Sequence, residues 1–224
     1  MKITLIEPQK NNPQRVNIFI DGNFFCGLSL MDVATNHLQE GQEVTDNDLR
    51  NLWSKSIKSK LKDDVLNLLS FRPRSEKETK DYLKKKLQKI TEKNEVKAIN
   101  LTDDEKLITE IVSELISKNL LNDIDFSRWW INQRQEFRPK GKRLIEYELL
   151  QKGVHKKNFE IAWSSSTEKK DEITLALNFL EKKANRLKNL DEKTKREKIF
   201  SWLTARGFSY ETIKKVIDRE RAKG

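Results

Sequence analysis

A chain of 224 residues with 36% charged and 36% hydrophobic side chains is too polar for one large core and suits thin helical layers with much surface. The formal net charge is +10, and residues 1–60 hold seven basic and seven acidic side chains, so the whole excess lies in 61–224. A single cysteine, Cys26, excludes an internal disulfide and a cysteine metal cluster, and no apolar run is long enough for a membrane span or a secretory leader, so a cytoplasmic protein is expected.

The first segment is β-rich. Residues 2–6 and 15–20 alternate and are β-branched, with a polar, proline-containing turn between them. Asp21-Gly22-Asn23 is a hairpin turn signal, and Phe24 to Leu28 is the return strand, giving a small three-stranded sheet that needs cover. Ser29 caps a helix through Leu30, Val33, Ala34, His37 and Leu38, which supplies a candidate cover and which Gly41 ends. His37, alone on that apolar face, is read as a packed histidine. Thr45 to Asp48 opens a longer helix through Leu49, Leu52, Trp53, Ile57, Leu61, Val65, Leu68 and Leu69, running unbroken into the helical body.

Next come capping boxes at Ser75/Glu78 and Thr102/Glu105. They open helices through Tyr82, Leu83 and Leu87 and through Leu107, Ile108, Ile111, Val112, Leu115 and Ile116, separated by the hydrophilic stretch 91–100. Asn122 or Asp123 then opens a helix whose Phe126, Trp130, Gln133 and Phe137 form a mostly aromatic stripe, ended by Arg138-Pro139. A second helix from about Lys142 to Lys152 carries Leu144, Ile145 and Leu149. Gly153 takes the left-handed cap position with apolar Val154 after it. A third helix buries Phe159, Ala162 and Trp163. A serine-rich linker, Ser164 to Thr167, leads to a last set of helices. These begin with Ile173, Ala176, Leu177, Leu180 and Ala184, pass through a charged turn region from Asn185 to Lys198, and end in the basic tail 219–223.

The chain repeats itself. Moving the middle unit forward by 54 residues places Ile145, Leu149, Gly153, Val154, Phe159 and Trp163 on Ile199, Leu203, Gly207, Phe208, Ile213 and Ile217. Moving it back by 66 places Phe137-Arg138-Pro139-Lys140 on Phe71-Arg72-Pro73-Arg74, although the first unit lacks the glycine. The expected fold is mostly α: three tandem three-helix units in a curved array behind a small three-stranded extension. The expected segments are 1–60, 61–122, 123–166 and 167–224.

With these residues in view, the chain resembles the RecX family, bacterial regulators of the RecA recombinase. The resemblance rests on Arg72, Ser75, Glu76 and Leu83; on Leu120 to Asp123 followed by Phe126; on Gly141, Arg143, Ile145, Glu148, Leu149 and Gly153; and on Leu203, Arg206, Gly207 and Phe208. It covers roughly Val65 to Ile217. It implies a non-covalent partner of the RecA–DNA filament that lies in the filament groove and lowers ATP hydrolysis, filament growth and strand exchange. Nothing in composition or spacing says so.

The residues themselves carry no phosphate loop, dinucleotide fingerprint or nucleophile elbow. His37 and His155 are isolated, and pairs such as Asp103-Asp104 sit where helix N-termini favour carboxylates. The expectation is therefore no enzyme, cofactor or metal, and a monomer. The candidate surface is basic and aromatic. Phe126 to Trp163 holds nine basic residues against four acidic, with Arg128, Arg134, Arg138, Lys140, Lys142 and Arg143 crowded around one turn. Trp129 stands beside Trp130, and Arg72 and Arg74 flank the corresponding turn of the first unit. Such a composition suits a protein hot spot or a nucleic-acid platform. The plainer alternative has the tryptophans sealing neighbouring units, the charges as a solvated rim and the lysine content as a reflection of an AT-rich genome. Direct DNA binding by helix-turn-helix-like units is the second functional reading.

Overall fold

The computed structural model describes residues 1–10, 12–93, 104–165 and 171–222. Contacts divide it into two compact units: 1–72 with 79–121, and 73–78 with 122–224.

The first unit opens with strands β1 (Ile3–Gln9), β2 (Asn12–Ile20) and β3 (Asn23–Ser29), antiparallel in that order. Asp21 and Gly22 both take positive φ, 47° and 81°, as a two-residue hairpin turn with the twist of its strands requires. The expected turn before residue 15 is mostly strand. Pro8 pairs with Val16 on the edge strand, and Pro13 falls in the register shift between the Pro8–Val16 and Gln9–Asn12 pairs, two places where a missing N–H is tolerated. Val16, Ile18, Ile20, Cys26 and Leu28 make the buried face. Burial pushes the Cys26 thiol up to about 12, against a hydrogen bond from Ser56 and the charge of Arg15.

Helix α1 (Leu30–Thr35) begins at the predicted Ser29 cap but stops three residues short of Leu38. His37 is exposed at φ 50°, so it is a turn residue and not a packed one. The cover that α1 gives the sheet is partial: it has no fully buried residue, and Val33, with Leu38 after the helix, packs half-buried against the core. Most of the cover comes from α2 (Asp46–Phe71), 26 unbroken residues opened by a Thr45/Asp48 capping box. Arg15 fastens β2 to it: Nη1 donates to Ser59 Oγ (3.1 Å) and Asp63 Oδ2 (2.5 Å), and Nη2 to the Gly27 carbonyl (3.0 Å). Helices α3 (Glu76–Lys93) and α4 (Asp104–Ser117) complete one continuous core with the sheet, so the β extension and the first repeat share their interior. Lacking the glycine, α3 runs on to Lys93. Ile116 and Leu120 are exposed, while Leu121 and the helix face through Leu107, Ile111 and Leu115 are buried. Thr102 lies outside the described residues, as does most of 91–100.

In the second unit, α5 (Asp123–Phe137), α6 (Lys142–Gln151) and α7 (Lys156–Ser164) form one repeat; α8 (Glu172–Glu181), α9 (Glu192–Ala205) and α10 (Tyr210–Arg221) form the next. Each has its own core. The 54-residue correspondence holds down to the backbone. Gly153 and Gly207 sit at φ 82° and 76°, and the Val154 and Phe208 amides reach back to the Leu149 and Leu203 carbonyls at 3.0 and 3.2 Å. On α5 the buried line is Asp123, Ser127, Ile131 and Gln135 with Phe126, which leaves Phe137 66% exposed at the helix end. In the last repeat Leu175 and Phe179 join Ala176 and Leu180 inside. The charged region expected to be a turn is a short 3-10 segment (Ala184–Arg186) followed by the first turns of α9.

Candidate partner-binding surface

Two helix N-termini are tied to other segments of the second unit through backbone and side-chain groups. The four amides that open a helix have no partner within it. At the start of α6 the Gly141 amide donates to the Arg206 carbonyl at 2.9 Å, and the Lys142 amide to Glu172 Oε1 at 2.9 Å. Glu172 Oε2 also accepts from Thr212 Oγ1 at 2.9 Å. The first turn of α3 repeats the device one unit earlier. Ser75 Oγ donates to the Lys152 carbonyl at 2.7 Å, and the Glu76 amide to Asp123 Oδ1 at 2.9 Å. Each time, the carboxylate that begins one repeat caps the second helix of the repeat before it, where the helix dipole favours negative charge.

The basic crowd of the middle repeat is organised around Glu148 on α6. Its Oε2 accepts from Trp130 Nε1 at 2.9 Å and Arg134 Nε at 2.7 Å, and its Oε1 bonds Lys140 Nζ. Burial pushes the Glu148 carboxyl up, but those three hydrogen bonds together hold it below the usual carboxylate range. The Trp130 ring carries two cations, Arg134 at 4.1 Å and Lys152 at 4.4 Å from its centroid, and Lys152 also pairs with Glu78 Oε1 at 2.6 Å.

This arrangement sorts the candidate residues. Arg134 and Lys140 are 21% and 17% exposed and share the single counter-charge of Glu148. Lys142 pairs with Glu160 at 3.3 Å and lies 5.7 and 5.8 Å from the Phe159 and Trp163 rings. Arg128 bonds Asp125 at 2.7 Å and Ser165 at 3.1–3.2 Å. Trp129 is half-buried, its ring 6.0 Å from both Phe126 and Trp130. Arg72, in the first unit, and Arg74, in the second, are half-buried. Arg138 and Arg143 differ from the rest: both are exposed, and neither makes an ion pair among the described residues. Phe137 precedes Arg138, and 58%-exposed Tyr147 follows Arg143 by one helical turn.

Four family models match the chain in order. They are the regulatory protein RecX N-terminal domain over residues 1–45 and the first, second and third RecX three-helix domains over 62–87, 122–162 and 170–217. The regulatory protein RecX of Clostridioides difficile strain 630 is 30% identical over 217 residues, covering 97% of this chain and 94% of that one. The chain belongs to the RecX family. The regulatory protein RecX of Bacillus pumilus is likewise 30% identical, over 96% of this chain and 76% of its own. A solved regulatory protein RecX superposes with a TM-score of 0.70 over 97% of this chain and 98% of that one, and at 23% identity it speaks for the fold alone. RecX from Lactobacillus salivarius gives 0.57 at 28% identity, over 73% of this chain and 96% of that one.

The RecX relatives are named as regulatory proteins. Among the described residues no helix is long and apolar enough to cross a membrane, and no group of three or more His, Cys, Asp or Glu could hold a metal ion. The sequence names Glu148 as a mark of the RecX resemblance and Lys152 as a helix end, but not their part in this network. The available signals were the four-residue spacings Trp130–Arg134 and Glu148–Lys152, which set charge beside charge or ring on one helix face.

Proposed function

We propose that this chain is a non-covalent regulator of the RecA recombinase that binds in the groove of the RecA–DNA filament and lowers its ATP hydrolysis, growth and strand exchange. The observation that carries the reading is the ordered match of all four RecX segments along nearly the whole chain. The middle repeat supplies the contact surface: Arg138 and Arg143 have no internal counterion among the described residues, and Phe137 and Tyr147 stand exposed near them in sequence. Exposed arginine beside aromatic side chains is the composition of an interface hot spot. Arg134, Lys140 and Lys142 support that surface from below through Glu148 and Glu160.

The test is the DNA-dependent ATPase of RecA with this protein added well below the RecA concentration. Strong loss is expected. The double substitution Arg138→Glu/Arg143→Glu should raise the amount needed for half-inhibition at least about tenfold, roughly 1.4 kcal/mol of interaction, without changing the unfolding midpoint. No loss at equal amounts, together with salt-sensitive DNA binding by the protein alone, would replace this reading with direct DNA binding.

A further inference from the structure

The last repeat carries a groove that the reading above does not use. It lies between α9 and α10 and encloses about 740 Å³. Its lining includes Ile199, 2% exposed, and half-buried Ile217. Phe200 and Tyr210 also line it, one from each helix, with ring centroids 6.3 Å apart and planes at 72°. They remain 42% and 68% exposed. Large aromatic rings contribute most when buried, and this pair has only its partial edge-on contact.

Charge defines what would cover them. On α10, Tyr210, Lys214, Ile217 and Arg221 recur at helical spacing along the groove, and α9 brings Lys193 and Arg196. Lys193, Arg196, Lys214 and Arg221 are exposed, and none makes an ion pair among the described residues. Against these four stand Asp218 and Glu220; the third acidic lining residue, Glu192, faces Lys195 at 3.7 Å. A polyphosphate would meet those carboxylates where the last turn of α10 closes one end of the groove, and the aliphatic lining offers it nothing. A protein segment with apolar anchors on one face and acidic residues at its edges uses both features.

We propose that the α9–α10 groove is a docking site for an acidic amphipathic helix of a partner protein. The apolar anchors of that helix lie over Phe200 and Tyr210, and its carboxylates meet Arg196, Lys214 and Arg221, as in other helix-in-groove recognition. The proposal does not depend on the partner of the middle repeat, and its test contains no recombinase.

The probe is a fluorescein-labelled amphipathic peptide with leucine and phenylalanine on one face and glutamate on the other, titrated into the full chain. The same peptide with lysine for glutamate, and an oligothymidylate, are the comparisons. The acidic peptide should bind best and shift backbone amide resonances of α9 and α10. Arg196→Glu/Lys214→Glu and, separately, Phe200→Ala/Tyr210→Ala should each weaken it at least about tenfold. Because all four side chains are exposed, the circular dichroism spectrum should not change. Equal binding of the lysine peptide, insensitivity to both double substitutions, or tighter oligothymidylate binding at the same residues would each overturn the proposal.

Discussion

Replacing Gly141 with alanine should destabilise the second unit by about 3 kcal/mol, from overpacking against backbone and the loss of one or two hydrogen bonds. Conformation is not the reason: at φ −73° and ψ 162° any residue is comfortable there. The reason is the neighbour. A Cβ at 141 would overlap the Gly207 carbonyl and stand 2.5 Å from the Phe208 amide nitrogen. Backbone cannot swing aside as a side chain can, so the start of α6 must retreat. That retreat breaks the Gly141–Arg206 bond and strains the cap from Glu172. Four of the five tryptophans lie in this unit, so urea unfolding followed by tryptophan fluorescence reads the change. Gly22→Ala is the contrasting case. Its φ is 81° but nothing lies within 4 Å, so it should cost only the left-handed penalty of roughly 1–2 kcal/mol. A loss below about 0.5 kcal/mol for Gly141→Ala, the range of a neutral surface change, would mean that the two repeats are not held in close packing.

The same junction explains why one position differs between repeats. Ser75 occupies the place of Gly141 in the 66-residue alignment, is fully buried, and uses its hydroxyl where Gly141 uses its amide. A side chain fits where residue 75 meets the Lys152 carbonyl but not where residue 141 meets the Gly207 carbonyl. The acidic caps Asp123 and Glu172 then do one job at both places with side chains of different length.

What the sequence revealed and what it hid follow from the range of the interactions. Gly153, Gly207 and the apolar residues around them were legible because a helix cap is local: a left-handed residue and the hydrophobe after it are fixed within a turn. The hairpin at Asp21-Gly22 was legible for the same reason. His37 was misread because apolar spacing continued past the point where α1 had already ended. Phe137 was misread because the buried line on α5 runs through small and polar Asp123, Ser127 and Gln135, which a search for apolar periodicity passes over. The candidate surface shows the deeper limit. Sequence gives the sign of Arg134 and Lys140 but not their partner. Glu148 lies 14 and 8 residues away on another helix, and it converts two apparent binding cations into an internal network. Only Arg138 and Arg143 keep the full charge that composition suggested for the whole group.

Glu148→Gln should therefore be the most damaging polar substitution in the middle repeat, costing about 2–4 kcal/mol. Glutamine keeps the volume and can still accept from Trp130, but it leaves Arg134 and Lys140 at 21% and 17% exposure without a counterion. Removing one partner of such a buried pair costs more than the pair itself contributes, because the surviving charge stays desolvated. Glu114 offers the comparison. Its carboxyl is held down to about 2 by hydrogen bonds from Lys118 and Lys62, yet its side chain is 32% exposed and water can replace either lysine. Glu114→Gln should cost no more than about 1 kcal/mol. The pH dependence follows from the direction of the shift. The folded-state value of Glu148 lies below its unfolded value, about 4.3. Its contribution is thus complete above that unfolded value and fades as pH falls through the folded one, where the unfolded chain binds the extra proton more readily. The stability gap between the parent protein and Glu148→Gln, measured by urea unfolding at several pH values, should be constant near neutrality and narrow on acidification below about pH 4.3. A double-mutant cycle with Arg134→Met should show coupling of about 1 kcal/mol or more. A gap that does not change with pH, or zero coupling, would mean that the network of Trp130, Arg134, Lys140 and Glu148 is not what holds the middle repeat's basic face in place.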